Sequence, residues 1–173
     1  MKYLKIPCSP KNYGPKRDLR KVKFIVIHYT AGSHDTAVNE GNYFKNHAVK
    51  ASAHFFIDRD GNIVMSVPMD RIAWSVGGKK YADCARTGGG KKYGICTNAN
   101  SVSIELCAIA ENDPSEKQIR ACKECIAYIM EHCTGVVGAW QIIRHFDVNG
   151  KHCPARMMDN HKWNAFKARV IKT

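Results

Sequence analysis

Long apolar runs are missing from this 173-residue chain. No stretch approaches the ~18 residues that a membrane helix needs, so a helical membrane span, and with it stable membrane insertion, is excluded. The opening residues, MKYLKIPCSPKNYGPKRD, carry no apolar core of secretory type. No signal peptide is legible there, and export is expected to use another route. Acidic residues are scarce: 15 Asp and Glu stand against 27 Lys and Arg, a net charge of +12. Such a chain is drawn to polyanions, whether nucleic acid, acidic membrane or anionic cell wall. The basic residues are spread through KNYGPKRDLRKVK, GGKKYADCARTGGGKK and KARVIK without a nucleic-acid-binding signature, so no nucleic-acid partner is expected. Internal repeats and low-complexity segments are absent as well.

What is present is ordinary globular material. Hydrophobic residues make up 45% and charged residues 24%, which argues against wholesale disorder. A chain of this length buries about 70% of its unfolded surface and needs no disulfide or metal merely to fold. The eight cysteines, at 8, 84, 96, 107, 122, 125, 133 and 153, therefore read as mostly reduced thiols, with at least one serving chemistry.

Residues 1–20, with Pro7, Pro10, Gly14 and Pro15, read as an irregular N-terminal arm. Phe24-Ile25-Val26-Ile27-His28 is a continuous, β-branched run that suits a strand buried on both faces. Asp35 or Ser33 is expected to cap a helix from about Thr36 to Asn46. Strands follow at Ser52 to Ile57 and Asn62 to Val67, joined by a turn containing Asp60-Gly61. Residues 77–100 hold six glycines and four lysines without periodicity, a long loop that is functional or mobile. Ser101 to Cys107 alternates: Val102, Ile104 and Leu106 face one way, Ser103, Glu105 and Cys107 the other. Asp113-Pro114-Ser115-Glu116 opens a helix with an acidic cap, running to about His132 with Ile119, Cys122, Ile126 and Ile129 on one face. Gln141 to Arg144 is short and extended. A last helix from about Asp159 to Lys172 aligns Trp163, Phe166 and Val170. Interleaved strands and helices predict one mixed α/β domain over residues 1–173.

His145 and Cys153 lie eight residues apart in a loop rich in turn formers. Imidazole nitrogen and thiolate sulfur are both good zinc ligands, and His28, at the end of a buried strand, is the best third donor. Standing alone, His28 reads as a hydrogen-bonded core histidine. Three protein donors with one open position is the layout of a catalytic zinc. Glu105 interrupts an apolar strand: a solvated carboxylate on an exposed sheet face, or a general base. Cys153 as a nucleophile with His145 as its base is the competing chemistry. Cys122-x-x-Cys125 within a helix reads as core packing rather than redox chemistry. Cys84 and Cys96 are close enough in sequence to pair. Trp74 offers a face for a sugar, and Trp163 reads as core.

Ile27-His28-Tyr29-Thr30-Ala31-Gly32, Ser52-Ala53-His54-Phe55-Phe56-Ile57-Asp58, Ala73-Trp74, Asn100 to Leu106, Arg144-His145 and Lys151-His152-Cys153-Pro154 occur in that order. Over about residues 22 to 172 the chain resembles the zinc-dependent N-acetylmuramoyl-L-alanine amidases of the phage-lysozyme and peptidoglycan-recognition-protein type. The resemblance implies a central mixed β-sheet flanked by α-helices, with a substrate groove across the zinc. It implies zinc on His28, His145 and Cys153, and catalytic roles for Glu105 and Lys151. Substrate contacts are implied for Tyr29, Thr30, His54 and Trp74, with His54 counted as supporting or structural rather than as a ligand. Two positions depart from the family pattern: Ala53 stands where several relatives carry a tyrosine, and Ser75 where many carry a histidine. Residues 78–98 look like a family-variable insertion.

The implied reaction is hydrolysis of the amide between the muramic acid lactyl group and L-alanine in bacterial peptidoglycan, by a phage endolysin or a bacterial autolysin. Such a protein is made in the cytoplasm, released through holin pores or otherwise exported, and acts on the wall as a monomer. Anionic wall polymers are a further expected partner. The alternatives are a binding-only recognition module and a cytoplasmic muropeptide-recycling amidase.

Overall fold

The computed structural model describes residues 1–171. Its strands are β1 (Leu4–Lys5), β2 (Tyr13–Lys16), β3 (Phe24–Tyr29), β4 (Phe55–Ile57), β5 (Ile63–Met65), β6 (Arg71–Ala73), β7 (Ser101–Leu106) and β8 (Ile142–Arg144). Its helices are α1 (Ala37–Asn46), α2 (Cys84–Thr87), α3 (Glu116–His132), α4 (His145–Asn149) and α5 (Asn160–Val170). Six strands form one mixed sheet in the order β1-β5-β4-β7-β3-β8, and β2 pairs with β6 in a separate ribbon. None of the described helices is long and apolar enough to cross a membrane.

The two faces of the sheet are unequal. Ile25 and Ile27 of β3 and Val102, Ile104 and Leu106 of β7 enter the main core, where Ile119, Cys122, Ile126 and Ile129 of α3 meet them. Trp163, Phe166 and Val170 of α5 close the same core. Each such side chain contributes about 1.5–3 kcal/mol on leaving water. Phe24 and Val26 point to the opposite face and pack with Val76, Cys96, Ile143 and Val148. Both faces of β3 are covered, which is why its sequence is apolar without alternation. Cys122 and Cys125 are wholly buried in α3, and burial pushes the Cys122 thiol up to about 12 and that of Cys125 well above its usual range. They are core residues. All eight cysteines are free, including Cys84 and Cys96.

Several local expectations are corrected. The N-terminal arm is built into the fold: β1 extends the sheet beside β5, β2 pairs with β6, and the buried Asn12 side chain ties it to residues 44–50. Its partners lie far along the chain, so no local pattern announces them. Thr36, not Asp35 or Ser33, caps α1 by accepting from the Asn39 amide. Ser115, not Asp113, caps α3, accepting from the Gln118 amide, while Asp113 pairs with Lys162 and Arg156. A hydroxyl two residues closer to the first turn outcompetes the carboxylate. The strands expected at Ser52 to Ile57 and Asn62 to Val67 narrow to β4 and β5, which form an antiparallel hairpin around Gly61 with φ +84°. Asp159 caps α5, accepting from the Lys162 amide; Lys172, its expected end, lies outside the described residues.

The long loop is folded. It contains α2, and it is tied to α4 and its flank by Tyr81 N–H to Asn149 O (2.8 Å), Gly90 N–H to Phe146 O (2.9 Å) and Lys92 N–H to Asp147 O (2.8 Å). The approach is close: a Cβ on Gly89 would stand 2.7 Å from the Phe146 ring.

Candidate metal centre and cleft

β7, β3 and β8 run parallel side by side, and α/β sheets place ligands outside the carboxyl ends of such strands. His28 sits opposite Glu105 in the β3–β7 register, and Ile27 opposite Arg144 in the β3–β8 register. His145, the next residue, opens α4 beside His28. The alternation of β7 sends Val102, Ile104 and Leu106 into the core and leaves Glu105 on the site's face. It is not a solvated sheet face: the Glu105 side chain is 19% exposed, and Ser103 on the same face is fully buried.

The donor atoms of His28, His145 and Cys153 all lie within 4.8 Å of one another, and all three residues are buried. Cys153 Sγ is 3.8 Å from His28 Nδ1, and the two imidazole centroids are 4.6 Å apart. Glu105 Oε1 is 3.9 Å from His28 Nδ1. Residues far apart in the chain are brought to one point by strand register.

The segment carrying Cys153 is held by Arg144. Its guanidinium forks onto Asp147 (2.8 and 3.1 Å) and donates to the carbonyls of Met157 and Met158 (both 3.0 Å). The Phe146 amide also donates to the Cys153 carbonyl (2.9 Å). Arg144 thus clamps the turn that presents both His145 and Cys153, a positioning role that the sequence alone does not reveal.

Electrostatics suit a cation. Burial, then the positive surroundings of His145, Lys151 and His54, hold His28 well below the usual imidazole range. Burial and Lys151 hold His145 down to about 4. Both imidazoles are neutral near pH 7, the form that ligates metals. Burial and the Glu105 charge push the Cys153 thiol up, while the Tyr29 backbone amide and the Lys151 ammonium favour its thiolate. Burial raises the Glu105 carboxyl to about 8, with Lys151 opposing and Glu40 and Asp35 adding to the rise. His28 Nε2, both ring nitrogens of His145 and Glu105 Oε2 are buried without a hydrogen-bond partner among the described residues. Buried polar atoms left unpaired cost about 1–3 kcal/mol each. A cation accepting one lone pair from each ring removes part of that cost, so the donor set fits a metal ion.

A cleft of about 650 Å³ opens from His145 and is lined by Lys151 and Trp74, so two further expected residues meet the site. Tyr29 follows His28 at the end of β3 and is half-buried. The Thr30 hydroxyl is committed to the Asp35 carboxylate. His54 is fully buried: the Ser103 amide donates to its Nδ1 (3.1 Å), and its Nε2 lies 2.9 Å from the Arg17 guanidinium and 3.1 Å from the Arg71 carbonyl oxygen. No ring atom of His54 is free or exposed, which suits the supporting or structural role expected for it. Arg17, read as part of an irregular arm, also donates to the Met69 (2.9 Å) and Ser101 (2.7 Å) carbonyls and locks the ribbon to β7.

A parallel-strand edge carrying two imidazoles, a thiol and an adjacent carboxylate defines an α/β protein with the donor arrangement of a hydrolytic metal site. The chain belongs to the N-acetylmuramoyl-L-alanine amidase family, whose model matches residues 18–156. It is 30% identical over 161 residues to the N-acetylmuramoyl-L-alanine amidase BlyA of Bacillus subtilis, covering 90% of this chain and 43% of BlyA. It is 28% identical over 173 residues to CwlA of the same organism, covering 98% of this chain and 57% of CwlA. The chain thus spans about half the length of these relatives. Among solved structures, the PlyG catalytic domain superposes with a TM-score of 0.73 at 25% identity, covering 98% of this chain and 93% of that one. PlyL gives a TM-score of 0.76 at 24% identity, with 99% and 98% covered, a likeness of fold.

Proposed function

We propose that this chain is a zinc-dependent N-acetylmuramoyl-L-alanine amidase acting on bacterial peptidoglycan, with residues 1–173 forming one catalytic domain. The observation that carries the reading is the buried trio of His28, His145 and Cys153, with unpaired imidazole nitrogens and Glu105 alongside, in a member of this family. Those three residues would hold the zinc through two neutral imidazoles and a thiolate. Bound zinc lowers the pKa of water toward about 7 and polarises a carbonyl.

The remaining roles fall to the chain. Glu105 accepts the proton of the attacking water at a carboxylate oxygen and returns it to the departing alanine amine. Burial raises its carboxyl, which suits it to holding the proton between the two transfers. Lys151 sets an ammonium in the cleft with His145, where the lactyl carbonyl oxygen gains negative charge as the amide is attacked. Trp74 supplies an apolar wall for the sugar. The products are the muramic acid carboxylate and a stem peptide with a free N-terminal alanine. The net charge of +12 favours approach to an anionic wall.

The test is amine release from purified sacculi, with chelator and then zinc add-back. Release with new N-terminal alanine and without new reducing sugar, abolished by chelator and restored by zinc, is the expected result. Activity surviving complete metal removal would sink the zinc reading in favour of Cys153 as nucleophile. Tight binding without release would favour a recognition module. Cleavage of soluble muropeptides but not of sacculi would favour recycling.

A further inference from the structure

The cleft beside His145 has a one-sided charge. Lys50, Lys79, Lys80 and Lys151 line it, and no Asp or Glu does among the described residues. Among the described residues none of the four lysines forms an ion pair. Only Lys151 has a part in the chemistry; the other three come from two unrelated segments.

Both segments are held in place. Lys50 has a left-handed backbone, φ +55°, unusual for a residue with a side chain. The fully buried Asn12 carboxamide fixes it, accepting from the Val49 (2.8 Å) and Lys50 (3.0 Å) amides and donating to the Phe44 (3.0 Å) and His47 (2.7 Å) carbonyls. Strain of this kind persists only where the surroundings enforce it. Lys79 and Lys80 belong to the folded loop tied to α4, and the Lys80 stem lies over Gly90, where an added Cβ would stand 2.6 Å from Lys80 Cε. Part of the cleft wall is already committed: the Asn98 carboxamide oxygen accepts from the Ser75 and Val76 amides, and Asn149 donates to the Gly77 carbonyl. The charged groups on its walls are the four ammoniums.

The cleft opens from His145 and Lys151, so its occupant is joined to the scissile amide. The glycan is neutral once its lactyl carboxyl is tied up in that amide. The anionic groups nearest the bond are the carboxylates of the stem peptide. We propose that this lysine-walled cleft is a carboxylate subsite that selects stem peptides with free carboxylates over amidated ones. The inference rests on the amidase reading above and adds to it a substrate preference with residues to carry it.

The test compares N-acetylmuramoyl-L-alanyl-D-isoglutamate with its isoglutamine counterpart. Binding is measured by titration calorimetry on the zinc-loaded Glu105→Gln protein, so that the ligand is not consumed. The carboxylate form is expected to bind about fivefold to tenfold more tightly at low salt, the scale of partly exposed charge-assisted contacts, and less selectively at high salt. Adding Lys50→Met, Lys79→Met and Lys80→Met should bring the two ligands within about twofold, in a protein whose melting temperature shows it folded. Equal binding by the parent protein, or a preference that survives the three substitutions, would overturn the proposal. So would lysine-dependent binding of polyglycerol phosphate with no discrimination between the muropeptides, which would make the cleft a phosphate site. Turnover of both ligands by the unsubstituted enzyme is scored separately: preference without turnover keeps the subsite and sinks the amidase, and turnover without preference does the reverse.

Discussion

Asn12→Ala tests how far the N-terminal segment builds the cleft. The Asn12 side chain is fully buried and makes four hydrogen bonds to residues 44–50. The Phe44 carbonyl keeps the Ser9 amide as a second partner, so truncation leaves three backbone groups short: Val49 N–H, Lys50 N–H and His47 C=O. At about 1–3 kcal/mol per buried orphan, with water recovering part at His47, Val49 and Lys50, which are all exposed, the expected loss is about 2–4 kcal/mol. For a chain of this size that lowers the melting temperature by about 5–15 °C. Urea unfolding followed by tryptophan fluorescence gives the free energy directly. Asn12→Asp keeps the acceptor but turns a carboxylate oxygen toward the Phe44 and His47 carbonyls in a fully buried site, so it should be no more stable than Asn12→Ala. A loss below about 1 kcal/mol in Asn12→Ala would refute the claim that this side chain holds the 47–50 turn and, with it, the placement of Lys50.

Glu105→Gln should retain bound zinc, measured by elemental analysis, while kcat falls about 10²-fold or more; full activity would remove Glu105 as the proton carrier. Acid should destabilise the protein through His54, whose folded-state pKa is held down to about 3 by burial and the Arg17 charge, against about 6.5 in an unfolded chain. The neutral ring's contribution is complete above pH 6.5 and is lost as pH falls from there toward 3. His28 and His145 act in the same direction. The urea midpoint should therefore drop between pH 7 and 4, with a shallower slope in His54→Asn; an unchanged slope would contradict the assignment. Gly89→Ala drives a Cβ to 2.7 Å from the Phe146 ring and 2.9 Å from the Gly150 Cα, so it should cost about 1–3 kcal/mol and lower zinc occupancy by shifting α4. Unaltered stability and zinc content would show that the loop does not brace the ligand helix.

The elements legible in the sequence share one property: their signal is local. The apolar run of β3, the alternation of β7 and the helical spacing of Ile119, Cys122, Ile126 and Ile129 each report the surfaces that the segment buries. Donor chemistry is equally local, and it singled out His28, His145 and Cys153 before any distance was known. The caps of α1 and α3 moved by one or two residues because neighbouring hydroxyls and carboxylates compete for the same amides.

Register alone sets Glu105 beside His28 and opens α4 next to both, because parallel strands meet only through long crossovers. The burial of His54 and the uses of Arg17, Asn12, Asp35 and Arg144 also depend on partners remote in sequence or on a turn formed elsewhere. The lysines of residues 50, 79 and 80 sit in separate segments of the sequence, and the fold gathers them along one cleft. By itself the sequence determined which segments bury which faces and which atoms can ligate. Only the tertiary structure decided which of those atoms meet, because hydrophobic periodicity specifies a face for burial while the pairing of distant strands specifies the neighbour.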